Sequence, residues 1–420
     1  MGNLLYWVWL QGALGQGSRK SLALARALGS PAEVYRQRDN ESLLSELKLL
    51  SERERKALRA HPLESARRVL EDCERDGLQV VTPQSPSYPE RLRQISNPPV
   101  ALYVKGRLPR VDEEVMIAIV GTRKATGYGQ EAAKRLSMRL SRAGAVIVSG
   151  GALGVDSKAH TGALLVHGTT VAVLGCGIGY PYLEDSRPIR EEIARHGALV
   201  SEYPPGTPPS KSTFPCRNRL IAGLCLGTVV VEAGERSGSL ITARLASEQG
   251  RDVFAVPGNV MSRSYTGTNR LLRDGAKPVY SALDVLEEYQ SLFPHKLTLA
   301  GSGVLIGEYD PEDPLDEEHA VPDQTEPGEL SPPTAACPTT MPSPVPFVRP
   351  APPQGLVGPA LAVYKAFDEE IMPFDLLVAH SGHLPGEVLR ALTELELLGC
   401  VESEAGNRYR LLDEPMHDIS

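Results

Sequence analysis

The chain has 420 residues, 41% of them hydrophobic, which suffices for a large core and, at roughly 100–200 residues per domain, predicts two to four domains. No apolar run approaches the ~20 residues of a membrane helix, so we expect no membrane span. The six scattered cysteines form no CxxC pair, so we expect no disulfide framework or metal site, and a reducing, cytoplasmic compartment. The net charge of −8 is concentrated in the last third, because residues 1–110 carry +6, 111–290 carry +2 and 291–420 carry −16. The first two thirds can therefore present a basic surface to phosphate.

The spacing of apolar residues in 1–80 predicts a small helical domain of the SAM or helix-hairpin-helix type. Apolar residues recur at helical spacing after a Gly-rich turn in the stretch LQGALGQGSRKSLALARALGSPAEVY. Such a turn before a helix could also cradle a phosphate through its backbone N–H groups. Both interpretations, plain helical packing and a phosphate contact, stay open for this segment.

Residues 81–290 predict a Rossmann-like α/β domain with a lead-in strand, ALYV. Six apolar, β-branched runs follow, with room for helices between most of them, which is typical of a parallel sheet covered on both faces. The candidate strands are VMIAIV at 115–120, AVIVS at 145–149, TVAVLG at 170–175, ALVSEY at 198–203, TVVVEA at 228–233 and DVFAVP at 252–257. Ligands of open α/β sheets bind beyond the carboxyl ends of the strands, so the segments after each strand are the candidate site.

The first strand runs into the Gly-rich turn GTRKATGYG, which contains Arg123 and Lys124. The turn is not GxGxxG, and the chain contains no GxxxxGK[ST], so neither a dinucleotide fingerprint nor a P-loop is present. A Gly-rich turn between a strand and a helix commonly holds an anion, and its two cations favour that role over a plain connection.

The second strand runs into SGGALGVDSKAH, where Gly150 and Gly151 permit a ligand to approach the backbone closely. Asp156 and His160 in the same segment have the chemistry of catalytic residues. A structural role is favoured for both, with Asp156 capping the following helix and His160 packing within it.

A long loop follows the fourth strand, SEYPPGTPPSKSTFPCRNRL at 201–220. It places one of only six phenylalanines among cations in a proline-bounded segment, which is what a base-stacking platform requires. The cations would contact backbone phosphates. The candidate DNA-binding residues of this loop are Lys211, Phe214, Arg217, Asn218 and Arg219.

The fifth strand ends in EAGERSGSLITA, whose SGS can open a helix and offer N–H and hydroxyl donors. Glu232 and Glu235 are the best acid–base candidates of the chain. Neither has a set of metal ligands or a nucleophile near it in sequence, so no catalytic residue is assigned.

Residues 291–354 predict a disordered, acidic, Pro-rich linker. Thirteen prolines fall within 311–353, and all ten charged residues from 297 to 348 are acidic. Such a segment buries too little apolar area to order itself. Residues 355–420 then predict a winged helix-turn-helix domain, because three short helical stretches precede a strand, turn and strand.

Six segments in this order closely resemble the DNA-processing protein A family (DprA, also called Smf). The resemblance is dense over about 88–289 and weaker at the helical N-terminus and the winged helix. The matching segments are YPERLRQISNPPVALYVKG, AIVGTRKATGYG, SGGALGVDSKAHTGAL, FPCRNRLIAGL, VVVEAGERSGSLITARLASEQGR and VFAVPGN.

The resemblance implies a protein, not an enzyme, that binds single-stranded DNA during natural transformation, protects it and hands it to a RecA-type recombinase. It also implies a homodimer formed through the Rossmann-like domain, no cofactor, and single-strand-binding protein as a further candidate partner. The family's DNA pocket corresponds here to Arg123, Lys211, Phe214 and Arg217.

The predicted winged helix departs from what groove recognition requires. Residues 355–420 carry 12 acidic and 4 basic side chains, with only Arg390 in the predicted recognition helix, whereas a groove-reading helix is expected to be basic. A contact with protein, or a weak assisting role, is therefore expected.

Two alternatives to DNA binding by the α/β domain are a transcription regulator, which this acidity disfavours, and a nucleotide-processing enzyme resembling phosphoribohydrolases. The latter's PGGxGTxxE-type segment is not matched by EAGERSGSLITA.

Overall fold

The described residues fall into two compact units, one within residues 1–322 and the other within 323–420. The first unit contains the N-terminal helices and a large sheet, and the second contains the winged helix. The computed structural model describes residues 2–182, 186–308, 350, 352, 356–369, 371–404 and 408–412.

Six helices precede the sheet, in agreement with the helical N-terminus predicted from the sequence. Local signals set several of their starts: Ser30 caps α3 ahead of a proline, and Ser51 and Glu54 form a reciprocal capping box on α5. None of the helices within the described ranges is long and apolar enough to cross a membrane. The six helices are α1 Gly2–Leu14, α2 Lys20–Ala27, α3 Pro31–Arg36, α4 Glu41–Glu46, α5 Glu52–Ala60 and α6 Leu63–Arg75.

Helix α1 joins this helical segment to the sheet. Trp9 is fully buried and donates its indole N–H to the carbonyl of His61 at 2.9 Å. The buried amide of Gln11 donates to the carbonyl of Ala101 at 2.8 Å and accepts from the hydroxyl of Tyr103 at 2.9 Å. Because these buried polar groups satisfy one another, the helices and the first sheet strands pack as one body.

The sheet has nine strands, and all six strands predicted from the sequence are among them. The predicted strands are buried along their whole length, apart from the first two residues of the last, as expected for strands covered on both faces. The elements are β1 Gln79–Val81, α7 Glu90–Arg93, β2 Leu102–Gly106, β3 Met116–Val120, α8 Gly127–Arg142, β4 Val146–Ser149, α9 Val155–Leu165, β5 Thr170–Leu174, α10 Arg187–His196, β6 Ala198–Ser201, α11 Thr213–Leu224, β7 Gly227–Val230, α12 Ser239–Glu248, β8 Asp252–Ala255, α13 Thr266–Arg273, β9 Lys277–Pro278 and α14 Leu283–Gln290.

The strand order is β1-β2-β6-β5-β4-β3-β7-β8-β9. Strands β3 to β9 run parallel, whereas β1 and β2 pair antiparallel at one edge, so the predicted lead-in strand belongs to the same sheet. The chain builds outward from β3 in one direction through β4, β5 and β6, and then returns to place β7 on the other side of β3. This reversal is a topological switch point, the position where open α/β sheets bind ligands.

Residues 291–308 correct the predicted start of the linker. Leu297 and Ile306 are buried in the core on the α8 side of the sheet, and the Thr298 N–H donates to the carbonyl of Ala143 at 2.9 Å. The buried guanidinium of Arg139 donates to carbonyls of this segment, including that of Leu305 at 2.7 Å. The segment is therefore part of the first unit. The rest of the predicted linker, apart from Pro350 and Pro352, lies outside the described residues.

This correction predicts where the chain can be shortened. A fragment ending at residue 308 should melt cooperatively, whereas one ending at 294 should be less stable by at least about 3 kcal/mol, because it loses two buried aliphatic side chains and the carbonyl acceptors of Arg139. Urea unfolding followed by circular dichroism compares the two fragments. Equal stability would show that the segment 295–308 contributes nothing to the core.

The second unit is the predicted winged helix. Its strands pair in the order β10-β12-β11, all antiparallel, and its own core includes the fully buried Val363, Phe367, Leu377 and Leu395. The added strand β10 extends the predicted hairpin to three strands. The elements are α15 Gly358–Lys365, β10 Ile371–Pro373, α16 Phe374–Ser381, α17 Pro385–Leu397, β11 Val401–Glu404 and β12 Arg408–Leu411.

Candidate nucleic-acid interface

A cleft of about 350 Å³ opens at the carboxyl ends of β3 and β7, at the switch point of the sheet. The turn after β3 forms one wall, α11 forms another, and the start of α12 closes the third side. Four of the predicted site residues line this cleft: Arg123, Phe214, Arg217 and Asn218. Ser237, Gly238 and Ser239 also line it, so the helix start predicted to offer N–H and hydroxyl donors does lie at the cleft.

Arg123 and Phe214 form a stacked pair at the cleft. The exposed guanidinium of Arg123 lies over the ring of Phe214, with its carbon 4.7 Å from the ring centroid. The ring itself is half-buried and rests on Gly175, where an added Cβ would lie 2.8 Å from the ring edge. Gly175 therefore allows the ring to lie against the end of β5.

Lys124 and Lys211 are exposed cations that lie close in sequence to Arg123 and Phe214, respectively. Lys124 follows Arg123 in the turn after β3, and Lys211 lies two residues before α11. Neither makes an ion pair among the described residues. Exposed, mobile ammonium groups are suited to phosphate contacts, so a DNA-binding role for both stays a prediction.

Arg217 lies in the wall of the cleft with only 5% of its surface exposed. Its guanidinium donates to the carbonyls of Gly150, at 2.7 Å, and Val173. Burial lowers the pKa of Arg217, while the neighbouring Asp156 opposes that shift. Because two of its donors are used by the backbone, any contact with DNA would come from a cation already fixed in place.

Gly150 serves a different purpose from the one predicted. An added Cβ would collide with the guanidinium of Arg217 and lie 2.6 Å from a carboxylate oxygen of Asp156, so the space beside Gly150 is filled by the protein and not by a ligand. Asp156 accepts from the N–H groups of Gly150 and Ala152, at 3.1 and 3.4 Å, and thus orders the turn after β4 instead of capping α9. Burial raises the pKa of Asp156. Gly151, with φ +64°, adopts the left-handed conformation that favours glycine.

Arg219 is the clearest correction to the predicted site. Its side chain and that of Glu202 are each only 3% exposed, and its guanidinium donates to both carboxylate oxygens of Glu202 at 2.8 Å. Its remaining donors contact the carbonyls of Asn97 and Cys216. Arg219 is therefore a structural cation that anchors α11, and it is unavailable to phosphate.

The same carboxylate accounts for the Gly-rich turn near the N-terminus. The N–H of Gly17 donates to Glu202 at 3.0 Å. The anion that this turn binds is thus a side chain of the protein itself, which supports the packing interpretation over a phosphate contact at that N–H. Glu202, at the end of β6, thus joins the turn between α1 and α2 to α11 through two partners, the N–H of Gly17 and the guanidinium of Arg219.

Glu232, considered as an acid–base candidate, is fully buried and positions the Arg123 turn. Its carboxylate accepts from the backbone N–H of Thr126 at 3.0 Å, from the Thr126 hydroxyl at 2.8 Å and from the Tyr265 hydroxyl at 3.0 Å. The sequence marked Glu232 by its position at a strand end but did not reveal these partners. Glu235, by contrast, is exposed.

His160 is also structural, as favoured from the sequence. It is fully buried, and its Nδ1 lies 2.7 Å from the hydroxyl of Thr170. Burial, assisted by the charge of Arg217, lowers the pKa of His160 to about 3, so the ring is neutral at physiological pH. Within the described ranges, no three His, Cys, Asp or Glu side chains are grouped so that they could hold a metal ion.

Tyr182 was not singled out from the sequence. It lies in the loop after β5, half-buried, with its ring centroid 5.9 Å from that of Phe214 and the two planes tilted by 45°. The available signal was the aromatic, proline-containing stretch GYPY directly after a strand. An aromatic residue in the strand-end loops of an α/β sheet is a site candidate even without a neighbouring cation in sequence.

Comparison with known proteins agrees with this architecture. Residues 79–290 match the family described as DNA recombination-mediator protein A, and residues 348–407 match the DprA winged helix domain. Protein Smf of Synechocystis sp. is 36% identical over 344 residues, which cover 81% of this chain and 82% of that protein. The DNA processing protein DprA of Bacillus subtilis is 41% identical over 221 residues, covering 53% of this chain and 74% of the relative.

A solved structure is similar as well. The X-ray structure of DNA processing protein A from Streptococcus pneumoniae aligns with a TM-score of 0.58 and 31% identity, covering 67% of this chain and 95% of that one. The similarity confirms the predicted combination of a Rossmann-like sheet with helical flanks. Since the first family match spans half of the chain and the Synechocystis relative is matched over most of its length, the chain belongs to the DNA recombination-mediator protein A family.

Proposed function

We propose that this protein binds single-stranded DNA without sequence preference in the switch-point cleft and delivers it to a RecA-type recombinase during natural transformation. The observation that carries the proposal is the Arg123–Phe214 pair, an exposed cation over a half-buried ring at the cleft. A partly accessible ring can stack on any base once the exposed guanidinium of Arg123 moves off its face, and that guanidinium can then contact the adjoining phosphate.

The dimensions of the cleft favour a single strand over a duplex. Its volume lies at the lower end of the roughly 300–1,000 Å³ typical of ligand pockets, which suits one extruded base with its sugar. Bases in a duplex are already stacked and paired, so they would offer no free face to the ring of Phe214. The family description as a recombination mediator supports the same substrate, because recombinases assemble on single strands.

The winged helix supports a role other than groove recognition. The exposed positions of α17 and of the residue before it include Leu384, Leu389 and Glu394 beside the single cation Arg390. The acidic side chains of such a helix face would repel the phosphates that flank a major groove, and its leucines offer them no hydrogen bond. We infer that this domain contacts protein or assists weakly.

The alternative of a nucleotide-processing enzyme receives less support. Its acid–base candidate Glu232 is buried and engaged by Thr126 and Tyr265, and Glu235 does not line the cleft. The proposed activity needs no catalytic residue. Incubation with nucleoside monophosphates, with release of free base measured by chromatography, tests the alternative directly.

The partners and location of the protein follow from the proposed activity. Delivery of a strand requires contact with the RecA-type recombinase, and single-strand-binding protein is a further candidate partner on the same DNA. A homodimer through the Rossmann-like domain would present two clefts to one strand and raise its effective affinity. These events would take place in the cytoplasm.

The function is tested by comparing single-stranded and duplex DNA of the same length. Fluorescence anisotropy should show tighter binding of single-stranded oligonucleotides, with similar affinities for mixed sequences of equal length. Equal affinity for the duplex would overturn the proposal, because it would remove the need for an accessible base face.

Lys211 provides a sharper prediction about the phosphate contacts. Lys211→Ala should weaken binding and reduce the slope of log K against log salt by about 0.7, the contribution of one single-strand phosphate contact. Lys56→Ala is the matched control, since Lys56 is an exposed lysine of α5 in the N-terminal helices. A Lys211 variant with reduced affinity and an unchanged slope would show that this lysine does not pair with phosphate.

A further inference from the structure

The aromatic surface of the cleft continues past Phe214. Tyr182 lies next to it, with 5.9 Å between ring centroids, and each ring is half-buried. Phe214 lies at the start of α11 and Tyr182 in the loop after β5, so two separate segments bring these rings together. Tyr182 packs partly against the core cluster that contains Leu174 and Ile178, yet both rings retain accessible surface.

We propose that Tyr182 is a second stacking platform, which takes the base adjacent to the one at Phe214. The strand would then run along the carboxyl edge of the sheet, from the switch-point cleft beside β3 toward β5. This inference rests on the proposed function and adds a second nucleotide position to that site. It assigns Tyr182 a direct contact with DNA.

The ring spacing suits consecutive nucleotides of a single strand. Stacked bases repeat at about 3.4 Å, and an unpaired strand can extend beyond that spacing. Two rings 5.9 Å apart and tilted by 45° can therefore hold neighbouring bases of a partly extended strand, but not two bases in continuous duplex stacking. Successive aromatic platforms along a basic track are a common design of sequence-independent single-strand sites.

A second cleft lies beside the loop that carries Tyr182. Tyr180, two residues earlier, lines this cleft of about 350 Å³ between the loop after β5 and α10. Lys105, Arg187 and Arg190 line the same cleft, together with Glu191.

The test uses the full chain and short thymidine oligonucleotides. Tyr182→Ala should weaken binding of oligonucleotides by about 10-fold, the loss of one stacked base, and should leave the affinity for thymidine monophosphate unchanged. Tyr182→Phe and Tyr182→Trp should restore binding, whereas Tyr182→Leu, which keeps apolar bulk without a ring, should not. Tyr280→Ala is the matched control, since Tyr280 is an exposed tyrosine that follows β9, at the other end of the sheet.

Photo-cross-linking gives a readout that a supporting role would not produce. Oligonucleotides carrying 5-iodouracil should cross-link to Tyr182, identified by mass spectrometry of the peptide. If Phe214→Ala weakens binding but Tyr182→Ala does not, and no cross-link to Tyr182 forms, the second platform is refuted while the proposed function stands. If neither variant weakens binding, the strand does not bind in the switch-point cleft, and the proposed site fails together with the second platform. If Tyr182→Leu binds as well as Tyr182→Phe, Tyr182 only supports Phe214 and the inference is wrong.

Discussion

Arg219→Ala should lower the free energy of unfolding by about 3–5 kcal/mol, the usual cost of removing one partner of a buried ion pair. The variant leaves the carboxylate of Glu202 buried with only the N–H of Gly17 among its present partners. Three elements, the N-terminal helices, β6 and α11, lose a shared anchor. Urea unfolding monitored by circular dichroism measures the change.

Arg273→Ala is the matched control for this experiment, because the side chain of Arg273 is 77% exposed and its removal should change stability little. At a temperature where the Arg219 variant is folded, its salt dependence of DNA binding should equal that of the wild type. A stable Arg219→Ala protein with a flatter salt dependence would show that Arg219 contacts phosphate and that its ion pair with Glu202 is dispensable.

Phe214→Ala should weaken binding of single-stranded DNA by about 1–3 kcal/mol, the value of one stacked base, while the melting temperature changes little. The ring is half-buried and packs against Gly175 and Tyr182, so its removal leaves no closed cavity. A fully buried phenylalanine would cost about 3–5 kcal/mol of stability instead. Oligonucleotide titration and thermal melting of the same variant separate the two outcomes.

Two further variants make the Phe214 result specific. Phe293→Ala removes another partly buried phenylalanine, packed on the core on the α8 side of the sheet, and should lower stability without a specific loss of affinity. Gly175→Ala should weaken binding although it removes no DNA-facing group, because the new methyl group displaces the Phe214 ring. A large fall in melting temperature for Phe214→Ala would exclude Phe214 as a DNA contact.

Local sequence patterns predicted most of the fold for a clear physical reason. Strands buried on both faces require apolar, β-branched runs, and those runs are visible without knowing their neighbours. The same runs locate the strand ends, so the turn with Arg123 and the loop with Phe214 could be assigned to one edge of the sheet. The prediction stopped short at residues 291–308, where two isolated aliphatic residues, Leu297 and Ile306, secure a segment whose composition resembles a linker.

The chain's amino-acid sequence by itself determined the strands, the helical N-terminus, the winged helix and the edge of the sheet at which a strand of DNA would bind. Only the tertiary structure decided the partners of each charged and aromatic side chain. Arg217 and Arg219 are two residues apart and look equivalent in sequence, yet Arg217 lines the cleft and Arg219 pairs with Glu202. Likewise, Tyr182 meets Phe214 because β5 and α11 are neighbours in space. Composition and periodicity are local properties, whereas burial and pairing depend on the order in which strands distant in sequence assemble.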